Sequence, residues 1–222
     1  MKRLNIFVDE TGEFGYGARA SLLYGISFTF HEQDEDISKE INNLNNRLKR
    51  IGYTGMIHMA DLIMKREDYK DFTINVRKSI FNSIYNFTRR IPIKYQTIIV
   101  DKKYIDNCSV LRKKLLLQIN DMIRKINNYL KKFDVIVMYY DNGQEILGKI
   151  LDQIFSKYNG FEHRDLFDHK EKRLFQVSDM LTFIDKYNYK YKNKMKFTKG
   201  EKYFFTDEEI RLILREIDKK RI

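Results

Sequence analysis

Apolar residues recur along this chain in two rhythms. Short runs rich in β-branched and aromatic residues, closed by Gly, Asp or Asn, predict strands at 4–8, 22–30, 93–100 and 135–140. Residues 162–167 predict a short edge strand. The second rhythm has steps of three and four and predicts amphipathic helices. Ile37, Ile41, Leu44, Leu48 and Ile51 form one stripe, which Gly52 ends. Tyr69, Phe72, Val76, Ile80, Ile84 and Phe87 form a second, and Pro92 bars its continuation. Leu111 to Leu130 and Ile146 to Phe155 carry two more. A helix over 172 to about 189 buries Leu174, Val177, Leu181 and Ile184 and is apolar nearly all round. Thr206 with Glu209 is a capping box opening a last helix within 205–222.

In order, this is two strands, a helical insertion over 32–91, a strand, a helix, a strand, a helix, a short strand and two helices. Residues 135–140 are apolar on both faces, as in a central strand of a covered sheet. The expectation is one α/β domain over 1–222. Its order is compatible with a ribonuclease-H-like mixed sheet, an antiparallel hairpin extending a parallel core, flanked by helices.

The first strand ends in Asp9-Glu10-Thr11-Gly12, and the central one in Tyr140-Asp141-Asn142-Gly143. Alternation along a strand sends Asp9 and Glu10 to opposite faces. Asp179 lies one turn into the apolar helix, where an ionised group needs a partner. If the strands ending at Asp9 and Asp141 are parallel neighbours, both carboxylates meet at the strand ends where α/β sheets carry their sites. Convergent carboxylates repel unless a cation is present, and oxygen ligands suit Mg²⁺ or Mn²⁺. Two such ions can activate water in phosphodiester cleavage. The bland reading of Asp9-Glu10 is a polar strand-to-turn junction, and of His58 a hydrogen-bonded core or cap residue.

Charge adds a partner class. The 222 residues hold 42 Lys plus Arg against 31 Asp plus Glu, a formal net charge of +11 that favours a polyanion. Lysines interleave with tyrosines over 186–197, a pattern suited to phosphate contact and base stacking. Lys102, Lys103, Lys190 and Lys192 are the candidate phosphate contacts. No run approaches the roughly 20 apolar residues of a membrane span. No signal peptide is read at the N-terminus, and the single Cys108 rules out an internal disulfide. A cytoplasmic protein is the expectation.

These motifs resemble domain-of-unknown-function family 3800, bacterial and phage proteins of proposed ribonuclease-H-like fold. Its strand ending in Asp-Glu-Ser-Gly matches Asp9-Glu10-Thr11-Gly12, with Thr for Ser. Its Gln-x-Ala-Asp at a helix start matches Gln176-Val177-Ser178-Asp179, with Ser for Ala. Its middle strand ending in Asp resembles Tyr139-Tyr140-Asp141. Its Glu-x-His element falls at Met56-Ile57-His58, where Met56 replaces the acid. The resemblance implies a divalent-metal-dependent nuclease of mobile elements or phage defence. Asp9, Asp141 and Asp179 are then metal ligands and Glu10 a ligand or general base. Gln176 and His58 orient substrate or ligands. The alternatives are a non-catalytic binder of DNA or RNA and a toxin- or antitoxin-type interaction protein. A homodimer or protein partner stays open.

Overall fold

The computed structural model describes residues 1–15, 21–103, 105, 107–141, 143–158, 160–164 and 169–222, with the side chains of 169–171 outside that set. Its centre is a five-stranded sheet of order β3-β2-β1-β4-β5. The strands are β1 (Arg3–Thr11), β2 (Leu23–Glu32), β3 (Ile93–Asp101), β4 (Val135–Tyr139) and β5 (Phe161–Arg164). The first three form an antiparallel meander, whereas β4 runs parallel to β1 and β5 parallel to β4. This is the expected ribonuclease-H-like sheet, with β1 in the middle.

Period-two alternation divides the sheet between two cores. Leu4, Ile6 and Val8 of β1 and Ile136 and Met138 of β4 face α4 (Cys108–Leu130) and α5 (Glu145–Phe155). Phe7 of β1 and Val135, Val137 and Tyr139 of β4 face the other side. Phe7 and Tyr139 stack there with ring centroids 4.8 Å apart. Beneath them runs α6 (His169–Lys192), packed on β1, β2 and β3. Every described position of α6 from Leu174 to Asp185 except Phe175 and Asp179 is buried. The all-round apolar pattern therefore marks a helix between the sheet and a further layer. That layer comprises the insertion helices α1 (Ser38–Ile51), α2 (Met59–Met64) and α3 (Ile74–Arg90), with the terminal helices α7 (Lys199–Phe204) and α8 (Asp207–Asp218).

Three details depart from the pattern-based expectation. Tyr69 begins no helix; it sits in a 3-10 turn, and α3 opens at Thr73, whose hydroxyl accepts the Val76 N–H. Helix α7 is an additional element, opened by Thr198 and Glu201 in the same capping box as Thr206 and Glu209. The last strand spans only 161–164, and 165–167 lie outside the described residues. Among the described residues no helix is long and apolar enough to cross a membrane.

Candidate active site

Local chemistry at the end of β1 turns the chain away from the sheet. Gly12 has φ +94°, and a Cβ there would lie 2.6 Å from the Leu23 carbonyl oxygen. Only glycine meets both demands without strain. The strand thus ends abruptly after Asp9, Glu10 and Thr11, beside the end of β4, its parallel neighbour.

Asp9 belongs to the α6 side of the sheet by alternation with Phe7. Burial holds its pKa well above the usual carboxylate range, and the Asp179, Glu10 and Asp141 carboxylates add repulsion, in that order. Four acids carried on β1, α6 and the turn after β4 therefore share one electrostatic neighbourhood.

Asp179 is raised to about 6, chiefly by burial and further by Asp61; the Met59 N–H and His58 oppose the rise. Its Oδ2 accepts the Met59 N–H at 2.8 Å, so it closes the first turn of α2. Further contacts hold that segment in place. The Tyr53 and Tyr69 hydroxyls meet at 2.7 Å, and both reach the Met56 carbonyl. The Tyr69 hydroxyl also accepts the His58 N–H at 3.2 Å. Gln176 Nε2 lies 2.8 Å from Met56 Sδ.

Glu10 points to the opposite face. Burial, then Asp141, pushes its pKa up to about 7, against hydrogen bonds from Tyr140 and Gln144. Its Oε2 is buried without a hydrogen-bond partner among the described residues, as is the Tyr24 hydroxyl, which feels the Glu10 charge. Gly143 closes this pocket: a Cβ there would stand 2.9 Å from Glu10 Oε1 and 3.3 Å from Asp141 Oδ1. Asp141 is exposed, and its Oδ1 accepts the Gly143 N–H at 3.1 Å. Asn142 lies outside the described residues.

Asp179, Glu10 and Asp141 thus lie within electrostatic reach of Asp9, and His58 within reach of Asp179. The other expected site residues divide. Lys102 is buried, and its ammonium donates to the carbonyls of Glu13 at 2.7 Å and Gly15 at 3.1 Å. It ties down the turn after β1 and is not presented to phosphate. Gln176 is buried, bridging Met56 and Arg173 Nη1, so it orients the α2 segment and does not face substrate. Lys190 spends its charge on Glu201 at 2.7 Å, in an ion pair with 14% and 4% of the side chains exposed. Lys103 and Lys192 are exposed.

Sequence reasoning did not single out Asp61, and it took Lys186 only as one of the run of lysines from 186 onward. Asp61 opens α2 three residues after His58 and looks in sequence like an ordinary first-turn acid. Lys186 is half-buried two turns along α6 from Asp179, with Nζ 3.4 Å from Thr11 Oγ1. Burial first, then Lys190, pushes its pKa down to about 8.

The donor set is all hard oxygen, which fits Mg²⁺ or Mn²⁺ rather than a thiolate-seeking metal. Asp179 keeps Oδ1 free of the Met59 bond, and Glu10 offers an unpartnered buried oxygen. Among the described residues, no three His, Cys, Asp or Glu side chains stand together as a finished metal cage.

No family model matches this chain, and no curated protein matches it at a significant level. Among solved structures it is similar to a chain in the complex of PCNA with RNase HII from Archaeoglobus fulgidus. The identity is 15%, over 99% of this chain and 91% of that one, with a TM-score of 0.39. A likeness of that degree assigns no reaction.

Proposed function

We propose that this protein is a divalent-metal-dependent nuclease that hydrolyses nucleic-acid phosphodiesters, of the kind its motifs resemble in domain-of-unknown-function family 3800. One observation carries the reading. The half-buried Asp9, at the end of the central strand, is repelled at once by carboxylates from α6 and from the turn after β4. A folded protein keeps such repulsion where a cation or a proton offsets it.

Asp9, Asp141 and Asp179 would hold Mg²⁺ or Mn²⁺. A bound ion there supplies a polarised water and positive charge for the leaving oxygen. The chain's own groups do the rest. Met59 N–H fixes one oxygen of Asp179 and leaves the other free of that bond. Glu10, with a pKa near 7, can take up or release a proton at its unpartnered Oε2 near neutral pH. His58, exposed beside Asp179, is placed to meet a phosphate or a leaving group.

The test pairs two assays on DNA and RNA, single- and double-stranded. Binding in EDTA reads the polyanion contact, and cleavage in Mn²⁺ reads the chemistry. Asp141→Asn is the informative variant because Asp141 is exposed, so its loss leaves the core intact. Binding persists and cleavage is lost if the reading holds. Cleavage that survives the change misplaces the site. Salt-sensitive binding by the wild type with no cleavage of any substrate makes the protein a binding module.

A further inference from the structure

Lys186 is the one lysine of the 186–202 run that faces the carboxylate end of the sheet while half-buried. It follows Asp179 by seven residues, hence on the same face of α6 and about 10 Å along it. Thr182, between them, lies against β2: a Cβ on Gly25 would touch Thr182 Cγ2 at 3.0 Å and Thr11 Cγ2 at 3.1 Å. That face of α6 therefore runs along the ends of β1 and β2. Thr11, which Lys186 approaches, is two residues beyond Asp9 on the same side of β1, about 7 Å on.

The neighbourhood of Lys186 is cationic. Lys190 and Lys102 both push its charge down, and Glu201 alone supports it. Glu201 is already engaged, accepting from Lys190 and from both the N–H and the hydroxyl of Thr198. Lys102 is committed to two carbonyls, with Glu13 beside it. Among the described residues Lys186 has no carboxylate at ion-pair distance, and its sole hydrogen bond is the long one to Thr11. A half-buried ammonium that feels two other cations is costly unless an anion completes it.

The geometry points to an anion subsite formed by Lys186 Nζ and Thr11 Oγ1, which takes a backbone phosphate of the nucleic acid next to the one at the carboxylates. It rests on the nuclease reading and assigns the phosphate a place: along the line from Asp9 to Thr11, one step from the acids. Lys190 and Lys102, both inside the same cationic cluster, shape the potential without touching phosphate.

The test is the salt dependence of binding in EDTA, using short fluorescent DNA and RNA oligonucleotides and the full chain. Lys186→Gln removes the charge and keeps a polar end near Thr11. Losing one phosphate contact makes the slope of log affinity against log salt shallower by about 0.7–0.9. Affinity at moderate salt falls by about fivefold, similarly for all sequences. Lys186→Arg retains the slope. Lys190→Met lowers the melting temperature by stranding Glu201 and leaves the slope unchanged. Folding of each variant is checked by circular dichroism; if Lys186→Gln does not fold, Lys186→Met replaces it under the same criterion. An unchanged slope in a folded, charge-free variant overturns the subsite while the nuclease reading stands. An equal loss in Lys190→Met overturns it too. Wild type with no salt-dependent binding to any oligonucleotide overturns the nucleic-acid reading itself, and the subsite with it.

Discussion

Replacing Asp179 by Asn should make the metal-free protein more stable, an unusual outcome for a substitution at a half-buried polar residue. Asp179 is held at about 6 against an ordinary 3.8 because burial, with Asp61 beside it, disfavours the charge. The folded state therefore grips a proton that the unfolded chain releases. Stability from this group is full below pH 3.8 and is lost as pH climbs through about 6. At about pH 8 the ionised carboxyl costs the fold about 3 kcal/mol. Asn removes the charge and keeps an oxygen that can accept the Met59 N–H, whose pull on the charged form is already contained in the value of about 6. The net gain is about 2–3 kcal/mol, which at this chain length raises Tm by roughly 4–12 °C. The repulsion with Asp9 is mutual, so relief there adds to the gain. Thermal melts in EDTA at about pH 4 and about pH 8 check the sign: the gain belongs to the higher pH and vanishes at the lower. Millimolar Mn²⁺ should then stabilise the wild type and not the variant. Equal destabilisation of the variant at both pH values would refute the claim that Asp179 is electrostatically strained. A full Mn²⁺ response in the variant would remove it from the ligand set.

Three further substitutions probe other parts of the argument. Gly143→Ala places a methyl against Glu10 Oε1 and Asp141 Oδ1, so cleavage should fall at least tenfold, roughly, while Tm moves by no more than about 3 °C; unaltered cleavage would show that those two carboxylates need not hold their places. Arg221→Ala strands Asp185, whose side chain is 8% exposed and accepts two bonds from Arg221, so Tm should drop by roughly 5–10 °C, read by calorimetry. Ser178→Ala removes hydrogen bonds to the Phe7 carbonyl and Thr29 hydroxyl in the seam between α6 and the sheet, at a cost of about 1–2 kcal/mol in urea unfolding.

The carboxylates were legible because each stands where a pattern breaks. Asp9 and Asp141 end apolar strands, and Asp179 interrupts an apolar helix. The order of elements along the chain was legible from the alternation of periods, and the central place of β4 from its doubly buried run. The environment of each lysine was not. Lys102, Lys186 and Lys190 have the same side chain, and only tertiary placement decides their roles. One grips carbonyls, one reaches toward Thr11 and one pairs with Glu201. Gln176 looked like part of a motif at the site, yet its amide is consumed in holding Met56. Asp61 was hidden for the opposite reason: an acid in the first turn of a short helix has an adequate local explanation.

The union of β1 with α6 also sets a timetable for the molecule as it is made. Asp9 leaves the ribosome 170 positions ahead of its main carboxylate neighbour, Asp179. Strand β1 cannot take its place in the sheet's middle until β4 arrives, and α2 lacks its capping carboxylate until α6 does. Chain segments that must wait for distant partners fold late. The acidic centre therefore comes into being only once α6 has emerged, and a nascent or interrupted chain ending before α6 carries the first carboxylates without the last.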